Sequence, residues 1–214
     1  MQKDVRRLAV TDADGRIVGI LSNREILAAQ ENSPMFMLRQ IAQAQDMEAI
    51  IDKHKQMPGL IRSLITNGAN AQNVTRIITT LSDAILNKLM QFTIKELGAP
   101  PARFVFMLMG SEGRKEQTLK TDQDNAIIYA DNLSAEEIAD IEAFSVKLID
   151  SLIEIGVPPC PGGIMAKNQF WRRSFSDWAK VLDTWLSNPL PEHILNGSMF
   201  FDLRTIYGDP DLEK

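Results

Sequence analysis

The chain has 214 residues, of which 44% are hydrophobic and 24% charged, the proportions of a soluble globular protein that can bury a sizeable core. Its formal net charge of -5 argues against a surface that binds a polyanion such as nucleic acid. A single cysteine and two histidines exclude an intrachain disulfide and are too few for a structural zinc site, so oxygen atoms must hold any bound metal. No stretch approaches the roughly 18 consecutive apolar residues of a membrane span, and no signal peptide is recognisable, so we expect a cytoplasmic protein without membrane contact.

The first 30 residues predict a β-hairpin followed by a short helix. Residues 5–10 and 17–21 are β-branched and aliphatic runs, and the turn sequence at residues 12–15 ends in Gly15, which can adopt a positive φ. Ser22 or Asn23 offers an N-cap for a helix over residues 24–29. A hairpin and a helix of this size cannot close a core alone, so we expect this piece to pack against something else.

Residues 31–98 predict a helical connector or packing layer. Apolar residues recur three and four positions apart between Met35 and Phe92, which gives each helix one apolar face. Pro58 with Gly59 and the segment 67–70 predict breaks, and Gly98 followed by two prolines predicts the end of the last helix. We interpret the methionines of this region as gap-filling core residues rather than as a ligand groove.

Residues 99–214 predict a separate α+β domain. The unbroken apolar run at residues 103–109 is typical of a central strand that is covered on both faces. Further strands are predicted at residues 122–129 and 198–207, and helices at residues 134–155, capped by Ser134 with Glu137, and around Trp178 and Trp185. The predicted fold is a small mixed β-sheet with flanking helices, preceded by the helical connector and the hairpin.

Gly110 and Ser111 follow directly after the predicted central strand. A glycine there lets the backbone approach a ligand, and the amides of a helix start that follows it point at an anion such as phosphate. The alternative is an ordinary turn between two elements.

Asp122 and Asp124 open the second predicted strand of this domain. Because side chains alternate along a strand, the two carboxylates project from one face about 7 Å apart. Such a pair suits Mg²⁺, which prefers oxygen ligands and keeps waters or substrate phosphates in its other positions. The alternative is a solvated acidic turn at the start of a strand.

Asp202 is predicted to lie in the middle of the last strand, among aromatic and aliphatic residues. A carboxylate is costly to bury there unless it is paired or bound to metal. It either forms a salt bridge with Arg204 or completes a three-carboxylate cluster with Asp122 and Asp124, which could hold two divalent ions about 3.5 to 4 Å apart.

Two parts of the chain resemble known families. Residues 10–26 resemble the last strand, strand and helix of a CBS motif, an adenosine-nucleotide-sensing module; they cover about half of one motif, and Ser22 and Glu25 stand where the family more often has Thr and Asp. The alternative for this piece is a plain packing hairpin.

Four longer motifs carry a second resemblance. They are Gly110-Ser111-Glu112-Gly113-Arg114-Lys115-Glu116-Gln117, Thr121-Asp122-Gln123-Asp124-Asn125-Ala126, Gly162-Gly163-Ile164-Met165-Ala166-Lys167-Asn168 and Phe201-Asp202-Leu203-Arg204 with Tyr207-Gly208-Asp209. With these motifs, residues 75–214 resemble the nucleotidyltransferase domain found beside CBS and cyclic-nucleotide-binding modules in bacterial signalling proteins. That domain belongs to the DNA polymerase β-like superfamily and is similar to protein-PII uridylyltransferases.

The resemblance implies a role for each motif residue. Gly110 and Ser111 would hold the β- and γ-phosphates of a nucleoside triphosphate. Asp122 and Asp124 would bind both metal ions, Mg²⁺ or Mn²⁺, and Asp202 the catalytic one. Arg114 and Lys167 are candidates for binding phosphate, unless either pairs with Glu112 or Glu116 instead. Gln117, Thr121 and Asn125 are candidates for orienting the carboxylates. Cys160 lacks a base beside it in the sequence and is interpreted as inert.

These observations lead to a metal-dependent nucleotidyltransferase that moves a nucleoside monophosphate to an acceptor hydroxyl, with a regulatory protein as one candidate acceptor. The chain divides into the C-terminal part of a CBS motif at residues 1–30, a helical connector at 31–98 and a nucleotidyltransferase-like domain at 99–214. A catalytically silent nucleotide-sensing module is the main alternative, and a purely structural helical scaffold is a third. An adenine nucleotide is expected at an intact CBS module elsewhere, and a homodimer is left open.

Overall fold

The computed structural model describes residues 7–22, 25, 33–100, 103–209 and 212. Strands β1 (Arg7–Thr11) and β2 (Ile17–Ser22) form the predicted antiparallel hairpin. The Asp12 side chain accepts hydrogen bonds from the amides of Asp14 and Arg16 and closes the turn, in which Gly15 has a φ of 79°. Large apolar side chains on both faces of the hairpin are exposed. The helix predicted at residues 24–29 lies outside the described residues, apart from Glu25.

Three helices follow: α1 (Pro34–Gln43), α2 (Met47–Thr66) and α3 (Ala71–Leu97). Their N-cap side chains, Ser33, Asp46 and Asn70, each accept a hydrogen bond from an amide of the first turn. The predicted break at residues 67–70 and the predicted end at Gly98 are confirmed. The break predicted at Pro58 is wrong, because α2 runs through this residue and buries Met57, Leu60 and Ile61 on either side of it.

A four-stranded mixed sheet forms the centre of the last segment. Its strands are β3 (Phe104–Leu108), β4 (Asn125–Tyr129), β5 (Arg172–Ser174) and β6 (Arg204–Gly208), in the order β5-β4-β3-β6. Strand β3 is antiparallel to both β4 and β6, and β4 is parallel to β5. All five residues of β3 are buried, which confirms the predicted strand covered on both faces.

Four helices surround this sheet: α4 (Gly110–Gly113), α5 (Ala135–Ile155), α6 (Phe175–Ser187) and α7 (Pro191–Phe201). Helix α5 begins with the predicted capping box of Ser134 and Glu137, and α6 buries Trp178 and Trp185 as expected. The strand predicted at residues 198–207 is wrong in its first half. Residues 198–201 belong to α7, whose Phe200 packs on Trp178 with ring centroids 4.6 Å apart.

One hydrophobic cluster connects the helical region to the sheet. It runs from Met37 and Ile41 in α1 through α2 and α3 to β3, α5 and Phe200. The fold is therefore α+β, as predicted, with the long helices packed on the sheet. None of the helices in the described part of the chain combines the length and apolar character needed to cross a bilayer.

Candidate active site

The acid pair lies in an extended segment that leads into β4. Gln123 forms a parallel bridge with Pro159, and its amide donates to the Pro158 carbonyl at 3.2 Å. The Met109 amide donates to the Asp124 carbonyl at 2.9 Å, which joins this segment to the end of β3. Because side chains alternate in an extended backbone, Asp122 and Asp124 face one side of the segment, while Gln123 and Asn125 face the other and are buried. The prediction that strand β4 already begins at Asp122 is wrong.

The carboxylates of Asp122 and Asp124 share their site with the Cys160 thiol. One ligand atom from each of these three residues lies within 4.8 Å of the others. Burial and the charge of Asp122 raise the pKa of Asp124, while a hydrogen bond from Cys160 opposes this shift. Burial and the hydrogen bond to Asp124 raise the pKa of the Cys160 thiol. A divalent cation fits this donor set, since it would relieve the repulsion between two close, half-buried carboxylates.

The glycine turn after β3 lies directly against this group. Gly110 is buried and has a φ of 55°, a conformation that glycine adopts without steric cost. A Cβ atom at this position would stand 3.2 Å from Oδ2 of Asp124. The lack of a side chain therefore lets the backbone at the start of α4 approach the carboxylate closely, and the sequence motif and the acid pair form one site.

Residues 55–192 match the family model described as "Putative nucleotidyltransferase DUF294". The chain belongs to this family. The matched range includes Gly110, both aspartates, Cys160 and Lys167, and it ends before Asp202. A search of curated proteins found no match to the chain.

Asp202 does not lie in the middle of the last strand, where the sequence predicts it. It follows the last residue of α7 rather than lying in a strand, and β6 pairs with β3 rather than with β4. Its carboxylate accepts a hydrogen bond from Arg114 and is not part of the group formed by Asp122, Asp124 and Cys160. The three-carboxylate cluster is thus not assembled in this conformation, and a metal-binding role of Asp202 stays a prediction.

The two predicted phosphate clamps are both engaged in ion pairs. Arg114 contacts Glu116 at 3.0 Å as well as Asp202, and the Glu116 contact is one that the sequence left open. Lys167 contacts Asp150 on α5 at 3.1 Å. Because these five side chains are half-exposed or exposed, the three ion pairs can exchange for a bound phosphate at little cost.

A buried arginine that the sequence did not single out holds the glycine-rich loop of residues 160–168. Arg172 donates to the carbonyls of Ala166 and Lys167 at 2.8 and 3.0 Å, and it pairs with Glu142 on α5 at 3.1 Å. The predicted supporting residue Asn125 acts on the same loop, since its Oδ1 accepts from the Ala166 amide at 2.8 Å. Asn125 therefore positions the loop rather than a carboxylate.

Glu112 in α4 lies behind the site, next to an ion pair between α3 and β6. Arg204 donates to both carboxylate oxygens of Asp83 at 2.9 and 3.0 Å and to the Glu112 carbonyl at 3.1 Å. The salt bridge considered for Arg204 is thus made with Asp83 and not with Asp202. Burial, together with the charges of Asp124 and Asp83, raises the pKa of Glu112 to about 8.

Glu112→Gln is expected to change the pH dependence of stability. The folded pKa of Glu112, about 8, lies above the ordinary value of 4.5, so the folded state holds this proton more tightly than the unfolded chain does. The contribution of Glu112 to the free energy of unfolding should therefore fall between about pH 4.5 and pH 8, and this contribution should be absent in Glu112→Gln. The measurement is denaturant unfolding without divalent cations. The free energy of unfolding of Glu112→Gln should gain about 1 kcal/mol or more on that of the unmodified chain from pH 5 to pH 8.5. Glu154→Gln, at an exposed site on α5, is the control; an equal pH dependence of all three proteins would contradict the account.

Proposed function

We propose that this chain transfers a nucleoside monophosphate from a nucleoside triphosphate to an acceptor hydroxyl. The observation that carries the proposal is the close approach of Gly110 to Asp124, which puts the glycine turn beside a pair of carboxylates. We expect this turn to bind the phosphates of the substrate. Family membership supports the reaction class. The Asp122 and Asp124 carboxylates would hold Mg²⁺ or Mn²⁺, with Cys160 beside them.

The metal would neutralise the charge that develops on the transferred phosphate and lower the pKa of the acceptor hydroxyl. The chain's own residues bind and orient the substrate. Gly110 leaves room for the triphosphate to reach the amides at the start of α4, and Arg114 and Lys167 would turn from their present partners to the phosphates. The acceptor oxygen then forms a bond to the α-phosphorus, the bond between the α- and β-phosphates breaks, and pyrophosphate leaves as the hydroxyl proton passes to solvent.

Further assignments rest on the sequence resemblance. We propose that the acceptor hydroxyl belongs to a regulatory protein, as for a uridylyltransferase-like enzyme, and that the chain itself is part of a signalling protein. The cytoplasmic location expected from the sequence stays a prediction and does not depend on the resemblance. Residues 1–30 would be the C-terminal part of a CBS motif, and an adenine nucleotide would bind an intact CBS module elsewhere. Residues 31–98 would connect this part to the catalytic domain at 99–214, and a homodimer is one arrangement of the whole.

A catalytically silent nucleotide sensor is the second candidate function. The observation that favours it is the ion pair between Asp202 and Arg114, which keeps the third predicted carboxylate away from Asp122 and Asp124. In a sensor this pair would persist when nucleotide binds, because no catalytic metal would need Asp202.

Nucleoside triphosphates labelled at the α- or the γ-phosphate distinguish the two candidates. Each of the four triphosphates is incubated with the chain, Mg²⁺ and a cell extract, and protein-bound label is then measured. Transfer predicts that adding the chain increases the covalently attached α-label, and not the attached γ-label, relative to the same extract with Asp124→Asn or without the chain; the γ-phosphate leaves in pyrophosphate. Saturable binding with no attached label from either position would contradict the transferase and support the sensor.

A further inference from the structure

A recess lies between the long helices and the sheet. It is on the side of the extended segment at residues 122–125 that faces away from Asp122 and Asp124. It is a cavity of about 80 Å³. Met57 from α2, Ile78 and Leu86 from α3, and Leu152 from α5 form its apolar walls. Exposed Thr118 and Leu119 are also in the lining, which puts its rim at the protein surface.

Three buried amide side chains line this cavity: Gln117, Gln123 and Asn125, with exposed fractions of 3%, 1% and 0%. Four of their polar atoms have no hydrogen-bond partner among the described residues: Oε1 of Gln117, Oε1 and Nε2 of Gln123, and Nδ2 of Asn125. In the described part of the chain, six buried side-chain atoms have no hydrogen-bond partner, and four of these six line this cavity. Leaving a buried polar atom without a partner is costly, and such a concentration indicates a ligand that supplies the missing hydrogen bonds.

The charges around the cavity are compensated. Asp83 is paired with Arg204 through two hydrogen bonds. Burial lowers the pKa of His54 and raises that of Glu112 to about 8, so burial disfavours the charged form of both side chains. The walls thus offer no net charge to attract an anion or a cation, and the occupant should be uncharged.

The unpartnered atoms also indicate the functional group of the occupant. They comprise two acceptors, on Gln117 and Gln123, and two donors, on Gln123 and Asn125. The orientation of the Asn125 amide is fixed because its Oδ1 accepts from the Ala166 amide. A primary carboxamide complements this set, since it has two N–H donors and a carbonyl oxygen with two lone pairs.

We propose that this cavity binds a small uncharged molecule that carries a primary carboxamide and a short apolar chain. Its volume limits the size of the occupant: at roughly 10 to 15 Å³ for each water-sized position, it accommodates about five to eight non-hydrogen atoms. The carboxamide contacts Gln117, Gln123 and Asn125, and the apolar chain contacts the walls from the helices. This site is separate from the acid pair, because Gln123 and Asn125 face away from Asp122 and Asp124.

Propanamide is the probe for this proposal, used with the complete chain in the absence of metal and nucleotide. Side-chain amide signals are followed by ¹⁵N NMR during titration with propanamide, and with propanoate and propylamine as charged probes of similar size. The expected result is a saturable shift of the Gln123 and Asn125 amide signals with propanamide alone. Shifts that are absent, or equal for the three probes, would overturn the proposal.

Gln117→Leu tests the proposed hydrogen bond between Gln117 and the carboxamide. The control is Gln91→Leu, at an exposed position on α3. Loss of one hydrogen bond should weaken propanamide binding about three- to tenfold in Gln117→Leu and leave it unchanged in Gln91→Leu. Unchanged affinity of folded Gln117→Leu would overturn the proposal. A crystal of the unmodified chain soaked in propanamide provides an independent outcome: density for one molecule bonded to Gln123 and Asn125 supports the site, and separate water molecules alone overturn it.

Discussion

Asp124→Asn is expected to reduce nucleotidyl transfer at least about a hundredfold while the chain stays folded. Asp124 is the acid that lies against Gly110 and also contacts Cys160, so it is central to the proposed metal and phosphate site. Asparagine keeps the shape but removes the negative charge, and a loss of about 3 kcal/mol of transition-state stabilisation corresponds to more than a hundredfold in rate. The measurement is the rate of attachment of α-labelled nucleotide at saturating Mg²⁺.

Asp140→Asn is the matched control, because Asp140 is an exposed aspartate on α5. Its rate of transfer should equal that of the unmodified chain. In Asp124→Asn, by contrast, a half-buried carboxylate close to Asp122 is lost. When no cation is present, this should leave the free energy of unfolding unchanged or raise it. A folded Asp124→Asn variant that transfers label at the normal rate would contradict the assignment of the acid pair.

Gly113→Ala is expected to lower the free energy of unfolding by about 3 kcal/mol or more. A Cβ atom at Gly113 would lie 1.8 Å from the Asp202 carbonyl oxygen and 3.1 Å from the Leu108 carbonyl oxygen. Both are backbone atoms that cannot move aside by a side-chain rotation, so α4 must separate from the end of α7. Denaturant unfolding monitored by circular dichroism measures the loss.

Gly59→Ala is the control for this substitution. Gly59 lies within α2, and no atom stands within 4 Å of a Cβ placed there. Alanine should raise stability by about 0.5 to 1 kcal/mol, because it restricts the unfolded chain and favours the helix. Equal stabilities of the two alanine variants would show that α4 and the end of α7 do not make the close contact described above.

The parts of the fold that the sequence predicted correctly have strong local signals. The unbroken apolar run of β3, the capping box at Ser134 and the glycine at residue 98 each have few structural alternatives. The errors fall where tertiary packing outweighs such signals. Pro58 continues a helix because apolar residues on both sides of it are buried, and Phe200 is helical because it packs on Trp178. A short apolar run such as residues 198–201 does not by itself distinguish a helix from a strand.

The candidate site was predictable in its local parts and not in its long-range ones. The glycine turn and the two aspartates are close in sequence, and the structure brings them into contact. The position of Asp202 depends on where α7 ends and on a side-chain pair with Arg114, 88 residues away. The sequence around Cys160 has no base beside it and predicts an inert thiol, yet the bridge between Gln123 and Pro159 brings this thiol to Asp124. Such placement arises from sheet pairing, which a single sequence does not specify.

Anomalous diffraction from a crystal grown with Mn²⁺ and a non-hydrolysable nucleoside triphosphate tests whether Asp122, Asp124 and the turn at Gly110 form one metal and nucleotide site. We expect a Mn²⁺ peak bound by the carboxylates of Asp122 and Asp124, with the triphosphate against the turn at Gly110. Nucleotide bound to the chain with no Mn²⁺ at these two carboxylates, or with its phosphates remote from Gly110, would contradict it.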